Sequence, residues 1–266
     1  MKKIRIADIK AHKNADTPLV CLTAYTTPMA QILDKHCDIL LVGDSLGMVM
    51  YGMENTLGVS LDMMINHGKA VMRANPTACI VVDMPYGSYE HASETAYKNA
   101  MRIMSETACD AIKLEGGQNM ESTIKYITTR NIPVMAHIGL QPQSVIKDGG
   151  YKVKGRTEQE ISTLINDAKA VQRAGAFSVV IEGTLENTSQ KITNSIDIPT
   201  IGIGASKHCD GQILVTEDML GMISGHTPKF VKKYAHIAKD IDKAVQNYAK
   251  EVKSRNFPNE NYTYQK

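Results

Sequence analysis

The sequence predicts an α/β protein, a (β/α)8 barrel forming a single domain over residues 1–266 and ending in a long helix. Three observations predict it. Short runs rich in Val and Ile recur, nearly continuous in apolar residues, as in strands buried on both faces of a parallel sheet. Longer amphipathic segments alternate with them. No phosphate-binding glycine fingerprint follows the first run, which disfavours the rival, a doubly wound open sheet.

The strand-like runs are PLVCLTAY from Pro18, DILLVGDS from Asp38, ACIVVDMP from Ala78, DAIKLEGG from Asp110, IPVMAHIGL from Ile132, FSVVIEG from Phe177, IPTIGIGA from Ile198 and, less clearly, GQILVTED from Gly211. Each ends in Gly, Pro or polar residues. The helix-like segments are TPMAQILDKH, SLDMMINHGKAVMRAN, SETAYKNAMRIMSET, MESTIKYITTR and TEQEISTLINDAKAVQRAG, the last opening on a cap at Thr157 with Glu160 three residues on. Asn-Ile-Pro and Asp-Ile-Pro stand before strands, where proline stops a helix. The last segment, FVKKYAHIAKDIDKAVQNYAKEV from Phe230, is expected to be one long helix with a basic face, packed outside the barrel or against a neighbour. The loop DGGYKVKGRTEQE, from Asp148, is either a solvated connection or an active-site lid.

Composition narrows the function. Of 266 residues, 43% are hydrophobic and 22% charged, an ordinary globular balance, and a formal net charge of +2 gives no general attraction to nucleic acid or acidic membranes. No apolar run approaches the roughly 20 residues of a membrane helix. The basic start, MKKIRIADIKAHKN, lacks the apolar region of a secretory signal. Five scattered cysteines without a C-x-x-C pair imply reduced thiols and a cytoplasmic location. The 15 methionines read as core filler, with a methionine-lined groove as the alternative.

In a parallel barrel the reactive face forms where strands end. The acids there are Asp44, Asp83, Glu115 and Glu182, each beside Gly or Pro, where the chain turns out of the barrel. One such acid could simply cap a helix. Four at one mouth repel one another unless protons or a cation intervene. An oxygen-only set suits Mg2+, which takes one or two carboxylates and keeps waters, so at least one acid is free for proton transfer. No Cys or His pair has zinc spacing.

Lys113 lies two residues before Glu115 and so shares its face. Inside a barrel it pairs with an acid, binds a substrate carboxylate, or forms a Schiff base. His137 ends the fifth strand, either donating to a substrate or buried as a satisfied core histidine. Ser45 follows Asp44 and could bind substrate, but it is not in a nucleophile elbow. His67, His91, His208, His226 and His236 read as structural or exposed. IGIGASKHCDGQ lacks the third glycine of a dinucleotide motif, so Gly202 and Gly204 are expected to admit a ligand or a neighbouring turn.

Taken together, LVGDSLGMV, DMPYGSYE, IKLEGG, HIGLQPQS, GGYKVKGR, IGIGA, DGQILV and TPKFVKKYA resemble, in order from Leu22 to Ala235, the ketopantoate hydroxymethyltransferase family. The resemblance implies a Mg2+-dependent cytoplasmic barrel enzyme of pantothenate synthesis that transfers a one-carbon unit from 5,10-methylenetetrahydrofolate to 3-methyl-2-oxobutanoate, giving 2-dehydropantoate and tetrahydrofolate. By the same resemblance Asp44, Asp83 and Glu115 match the metal-site acids, Ser45, Asp83 and Lys113 the positions contacting the oxo acid, and Glu182 the proton acceptor. It also implies a homo-oligomer, commonly a ring-shaped decamer. The chain departs from the family pattern at Thr26, where Asp is usual, at Ser206, and in the Gly183-Thr184 that follows Glu182.

The residues suit that chemistry. A 2-oxo acid chelates a hard cation through its carboxylate and keto oxygens, and the cation stabilises the enolate formed when C3 loses a proton. Lys113 would neutralise the substrate carboxylate, and partial burial would help Glu182 act as the base. Two other enzyme readings stay open: a Mg2+ lyase of the phosphoenolpyruvate mutase and isocitrate lyase type, whose K-[KR]-C-G-H-like loop is not evident here, and a Schiff-base aldolase through Lys113. A catalytically dead binding protein is the non-enzyme reading.

Overall fold

In the computed structural model, residues 2–223, 225 and 227–265 are described; His226 lies outside them. Eight parallel strands close into a barrel in chain order: β1 Leu19–Thr23, β2 Ile39–Val42, β3 Cys79–Asp83, β4 Ala111–Glu115, β5 Val134–Gly139, β6 Ser178–Glu182, β7 Thr200–Ile203 and β8 Gly211–Leu214. The ring is completed by β8 pairing with β1, Cys21 opposite Ile213. All eight apolar runs form strands, with both faces covered from β2 to β7, whereas β1 and β8 each expose one residue, Val20 and Gln212. Leu40, Val42, Ile80, Val82, Ile112, Leu114, Ala136, Ile138, Val179 and Ile181 belong to the outer core. Alternate residues Leu19, Cys21, Ile39, Leu41, Cys79, Val81, Ala111, Met135 and Val180 form a second, inner core. Alternation then dictates that Asp83, Lys113, Glu115, His137 and Glu182 continue the inward-facing rows at the C-terminal end.

The helices are α1 Ile6–Lys10, α2 Thr27–Leu33, α3 Leu46–Val49, α4 Leu61–Met72, α5 Ser93–Thr107, α6 Glu121–Thr128, α7 Val145–Asp148, α8 Glu158–Arg173, α9 Glu186–Asn194, α10 Thr216–Met219 and α11 Ile237–Lys253. Capping fixes several starts: Ser60 accepts from Met63 N–H at 3.2 Å and Thr157 from Glu160 N–H at 3.2 Å. Thr26 accepts from Met29 N–H at 3.4 Å, so the first departure from the family pattern still serves as an N-cap. The sequence reading lacks α9. Its buried side is Thr188, Ser189, Ile192 and Thr193, so small hydroxyl residues supply the face that apolar periodicity normally reveals.

The chain forms two compact units, Met1–Val215 and Thr216–Lys266. In the second, the terminal helix begins at Ile237, not Phe230 as expected. His236 has φ −131° and ψ 52°, outside the helical region. Upstream backbone is committed elsewhere: Tyr234 N–H donates to Met219 O at 2.8 Å, and Ile237 N–H to Leu220 O at 3.0 Å. None of the residues of α11 is buried.

The loop after α7 is ordered rather than merely solvated. Lys154 N–H donates to Gly183 O at 2.8 Å, Leu185 N–H to Lys154 O at 3.1 Å, and Thr188 Oγ1–H to Gly155 O at 3.0 Å. It is therefore stitched to the segment directly after Glu182. The IGIGAS turn is likewise internal: Gln212, opposite Gly202 on β8, donates to Ser206 O at 2.9 Å, and Ser206 Oγ accepts from His208 N–H at 3.1 Å. A Cβ on Gly202 would lie 3.0 Å from Gln212 Oε1 and 3.2 Å from Cys209 Sγ, so that glycine admits the neighbouring strand and turn. No helix among the described residues is long and apolar enough to cross a membrane.

Candidate active site

Strand register builds the site. Asp83 pairs with Lys113, Glu115 with His137, and Gly139 with Glu182, each pair two residues further along than the last, so the inward-facing residues climb in steps across β3, β4, β5 and β6. Asp44 joins it from the turn after β2, where its N–H donates to Asp83 Oδ2 at 3.0 Å. A Cβ on Gly43 would lie 2.9 Å from Ser45 Oγ and 3.6 Å from Asp83 Oδ2. The glycine thus lets the chain turn sharply enough to bring Asp44 beside Asp83, which explains its place in the GDS triplet. Ser45 is half-buried and its Oγ lies 2.8 Å from Tyr25 Oη.

Lys113, 5% exposed, places Nζ 3.1 Å from Asp83 Oδ1 and 3.2 Å from His137 Nδ1. Burial alone would lower its pKa, but Asp83, Glu115 and Asp44 outweigh burial and hold the ammonium up to about 12. Because an ammonium only donates, His137 Nδ1 must accept and its proton sits on Nε2. That nitrogen is 3.3 Å from Glu182 Oε2, off the ideal hydrogen-bond angle. Burial, aided by Lys113, pushes the His137 pKa down, which agrees with a neutral ring. His137 thus has a partner at Nδ1 but no well-angled one at Nε2, the nitrogen that faces the candidate base. Glu182, with 17% of its side chain exposed, is the most accessible of the four acids.

The carboxylates are short of positive charge. Burial pushes Asp83 up to about 7, Asp44 adding to the rise and Lys113 opposing it. Burial also raises Asp44, against Lys113 and Gln143, and raises Glu115 well above the usual carboxylate range. Four acids face one lysine and a neutral histidine, so the site calls for protons or a further cation.

The donor set fits Mg2+: it is all oxygen, and Asp83 Oδ1, despite its ionic contact with Lys113, makes no well-angled hydrogen bond. Among the described residues no three His, Cys, Asp or Glu side chains form a ready-made metal cage. Glu115 Oε2 accepts from Gln143 N–H at 3.1 Å. Two aspartates, completed by water and a chelating ligand, make a Mg2+-like set, whereas a structural zinc site would need its full protein cage.

Three functional neighbours escaped the sequence reading: Tyr25, Tyr89 and Gln143. Gln143 donates from Nε2 to Asp44 Oδ2 at 2.8 Å and to Met84 O at 3.1 Å, and Tyr89 donates to its Oε1. Their positions inside LTAY, DMPYGSYE and HIGLQPQS were the available signal. Of the other histidines, His67 is bound to Tyr25 O and Tyr51 Oη at 2.7 and 3.0 Å, while His91, His208 and His236 are exposed.

Solved structures similar to this chain include phosphoenolpyruvate phosphomutase from Streptomyces platensis subsp. rosaceus, with a TM-score of 0.60 at 12% identity over 94% of this chain and 88% of that one. A phosphonopyruvate hydrolase crystallised with oxalate and Mg++ matches with a TM-score of 0.60 at 11% identity over 96% and 88%. Such likeness shows the barrel fold alone. Sequence relatives are much nearer. The 3-methyl-2-oxobutanoate hydroxymethyltransferase of Rhizobium etli is 56% identical over 262 residues, covering 98% of this chain and 94% of that protein. That of Paramagnetospirillum magneticum is 57% identical over 258 residues, covering 97% and 94%. With residues 3–260 also matching the family model for ketopantoate hydroxymethyltransferase, the chain belongs to that family of transferases.

Proposed function

We propose that this enzyme transfers a one-carbon unit from 5,10-methylenetetrahydrofolate to C3 of 3-methyl-2-oxobutanoate, giving 2-dehydropantoate and tetrahydrofolate for pantothenate synthesis. The observation that carries the reading is the inward-facing cluster of Asp83, Lys113, Glu115, His137 and Glu182 at the ends of four adjacent strands, with Asp44 against Asp83. It combines oxygen donors for a hard cation, a fixed positive charge for a carboxylate, and an accessible carboxylate for a proton.

Asp44 and Asp83 would hold Mg2+, with Glu115 the third acid of the metal site. When bound, the ion supplies Lewis-acid polarisation of the substrate's keto group, easing the charge that develops as C3 loses its proton. Lys113 neutralises the oxo-acid carboxylate, and Ser45 offers its hydroxyl to the same ligand. Glu182 accepts the C3 proton, steadied by the Nε2–H of neutral His137. The C3 carbon then forms the new bond to the one-carbon unit as tetrahydrofolate leaves. One water is consumed overall, supplying the hydroxyl oxygen of the product.

The reading extends to a cytoplasmic homo-oligomer, a decamer by family resemblance. Five buried free thiols support a reducing compartment. Ile241, Val245, Tyr248 and Val252 form an exposed apolar stripe along α11, suited to burial against another copy. The test of the reaction is tetrahydrofolate formation from the two substrates with and without Mg2+. Turnover that depends on the ion supports the reading. No turnover, or turnover untouched by EDTA, overturns it; EDTA-insensitive borohydride trapping on Lys113 would favour the aldolase.

A further inference from the structure

The buried amide of Gln143 joins Asp44, the Met84 carbonyl and Tyr89 at one point. Gln143 is 7% exposed, and Tyr89, beside it, is 2% exposed. Gln143 Nε2 donates to Asp44 Oδ2 at 2.8 Å and to Met84 O at 3.1 Å, which uses both of its hydrogens. Its backbone N–H donates to Glu115 Oε2 at 3.1 Å. On the far side Glu115 N–H donates to Tyr89 Oη at 3.2 Å, and Tyr89 O–H in turn donates to Gln143 Oε1.

The direction of this relay is fixed by chemistry. Tyr89 Oη accepts from a backbone N–H that has no alternative role, so its one hydrogen goes to Gln143 Oε1. Turning the amide over would set Oε1 against a carboxylate oxygen and a carbonyl oxygen, two acceptors facing a third. The amide therefore stands in one orientation, with its NH2 toward Asp44. Every polar atom of the Gln143 side chain is used, which in a buried site favours a single rigid arrangement.

Resting on the metal reading above, we infer that Gln143 is a positioning residue that fixes the carboxylate of Asp44 through its amide and that of Glu115 through its backbone N–H, with Tyr89 locking the amide in place. By holding Asp44 Oδ2, Gln143 fixes the direction in which this carboxylate presents its oxygens to a cation. Partners that orient a ligating carboxylate commonly change metal affinity 10–100-fold. Tyr89 does not touch Asp44; it reaches that carboxylate through the Gln143 amide and meets Glu115 only at the backbone N–H.

The test is Mn2+ binding to the metal-free protein, read from the EPR signal of unbound Mn2+, on Gln143→Met, Tyr89→Phe and the double variant. Methionine keeps the volume of glutamine and the backbone N–H while removing the amide. Gln143→Met is expected to weaken Mn2+ binding about 10–100-fold. Tyr89→Phe is expected to weaken it by less, and the double variant to match Gln143→Met, because Tyr89 works through the amide. Thermal unfolding of Tyr89→Phe monitors packing independently. Wild-type Mn2+ affinity in Gln143→Met overturns the inference, as do fully additive effects in the double variant. Should Gln143→Met not fold, Tyr89→Phe decides alone: weakened binding in a normally folded protein supports the inference and unchanged binding overturns it. A wild-type protein that binds no Mn2+ would overturn the metal reading itself, a result distinguishable from the others.

Discussion

Lys113 and Asp83 face each other across β3 and β4, in register, with Nζ 3.1 Å from Oδ1 and both side chains buried. The lysine is the fixed positive charge of a site otherwise made of acids. Removing it strands a buried carboxylate. Lys113→Met is expected to destabilise the metal-free protein by about 3 kcal/mol at pH 8, and by less at pH 5, where Asp83 is protonated. Urea unfolding at the two pH values measures both. Oxo-acid binding, followed by calorimetry, should weaken at least tenfold as the carboxylate loses its partner.

Metal binding should release protons. Burial raises Asp83 to about 7 from an ordinary value near 3.8, so it holds a proton more readily near neutral pH than an exposed carboxylate does. A cation needs the ionised form. Apparent Mg2+ affinity is therefore expected to fall as pH drops below 7, by about tenfold per unit for one competing proton. The linkage to folding has the opposite sense. A raised carboxylate contributes stability that is fully present below pH 3.8 and lost as pH rises through 7. Added Mg2+ should thus raise the unfolding temperature more at pH 8 than at pH 6. Calorimetry in buffers of different ionisation enthalpy counts the protons, and a count of zero at pH 6.5 contradicts this account.

The barrel and its acidic rim were legible because two-sided burial writes a strand as an apolar run, and an acid at the end of such a run stands out. Asp44, Asp83, Glu115 and Glu182 all carry that signature, and all meet in one neighbourhood. The role of Gln143 was not legible, since its partners Asp44, Met84 and Tyr89 lie 99, 59 and 54 residues away. Its place in HIGLQPQS marks the segment, but no local pattern says which acid a glutamine there would hold. The early start given to the last helix has another cause: FVKKYAHI has helical composition, but its backbone groups are taken by Met219 and Leu220.

Glu182→Gln separates binding from chemistry. The amide keeps the shape of the side chain and can still meet His137 Nε2–H through its oxygen, but it no longer takes a proton. Mg2+ and oxo-acid binding should stay within about threefold of wild type, since the proposed metal-site aspartates and Lys113 are untouched. Exchange of the C3 proton with solvent deuterium, followed by NMR, should slow by about 10³-fold. Normal exchange in this variant would remove Glu182 from the role of base.

Gly139 ends β5 with φ at +93°, and a Cβ there would lie 2.3 Å from Glu182 O and 2.7 Å from Thr184 Oγ1. Both obstacles flank the candidate base, and one of them is backbone. Gly139→Ala therefore has two costs, a disfavoured backbone conformation and a clash relieved only by moving the Glu182 carbonyl. The first alone costs about 1–2 kcal/mol. Because Gly139 and Glu182 are paired across β5 and β6, the movement should reach the base without touching Asp44 or Asp83. The expected outcome is a lowered unfolding temperature together with a kcat at least tenfold down, at an unchanged Mg2+ affinity. A Gly139→Ala protein with wild-type kcat would mean that the β5–β6 register does not set the position of the base.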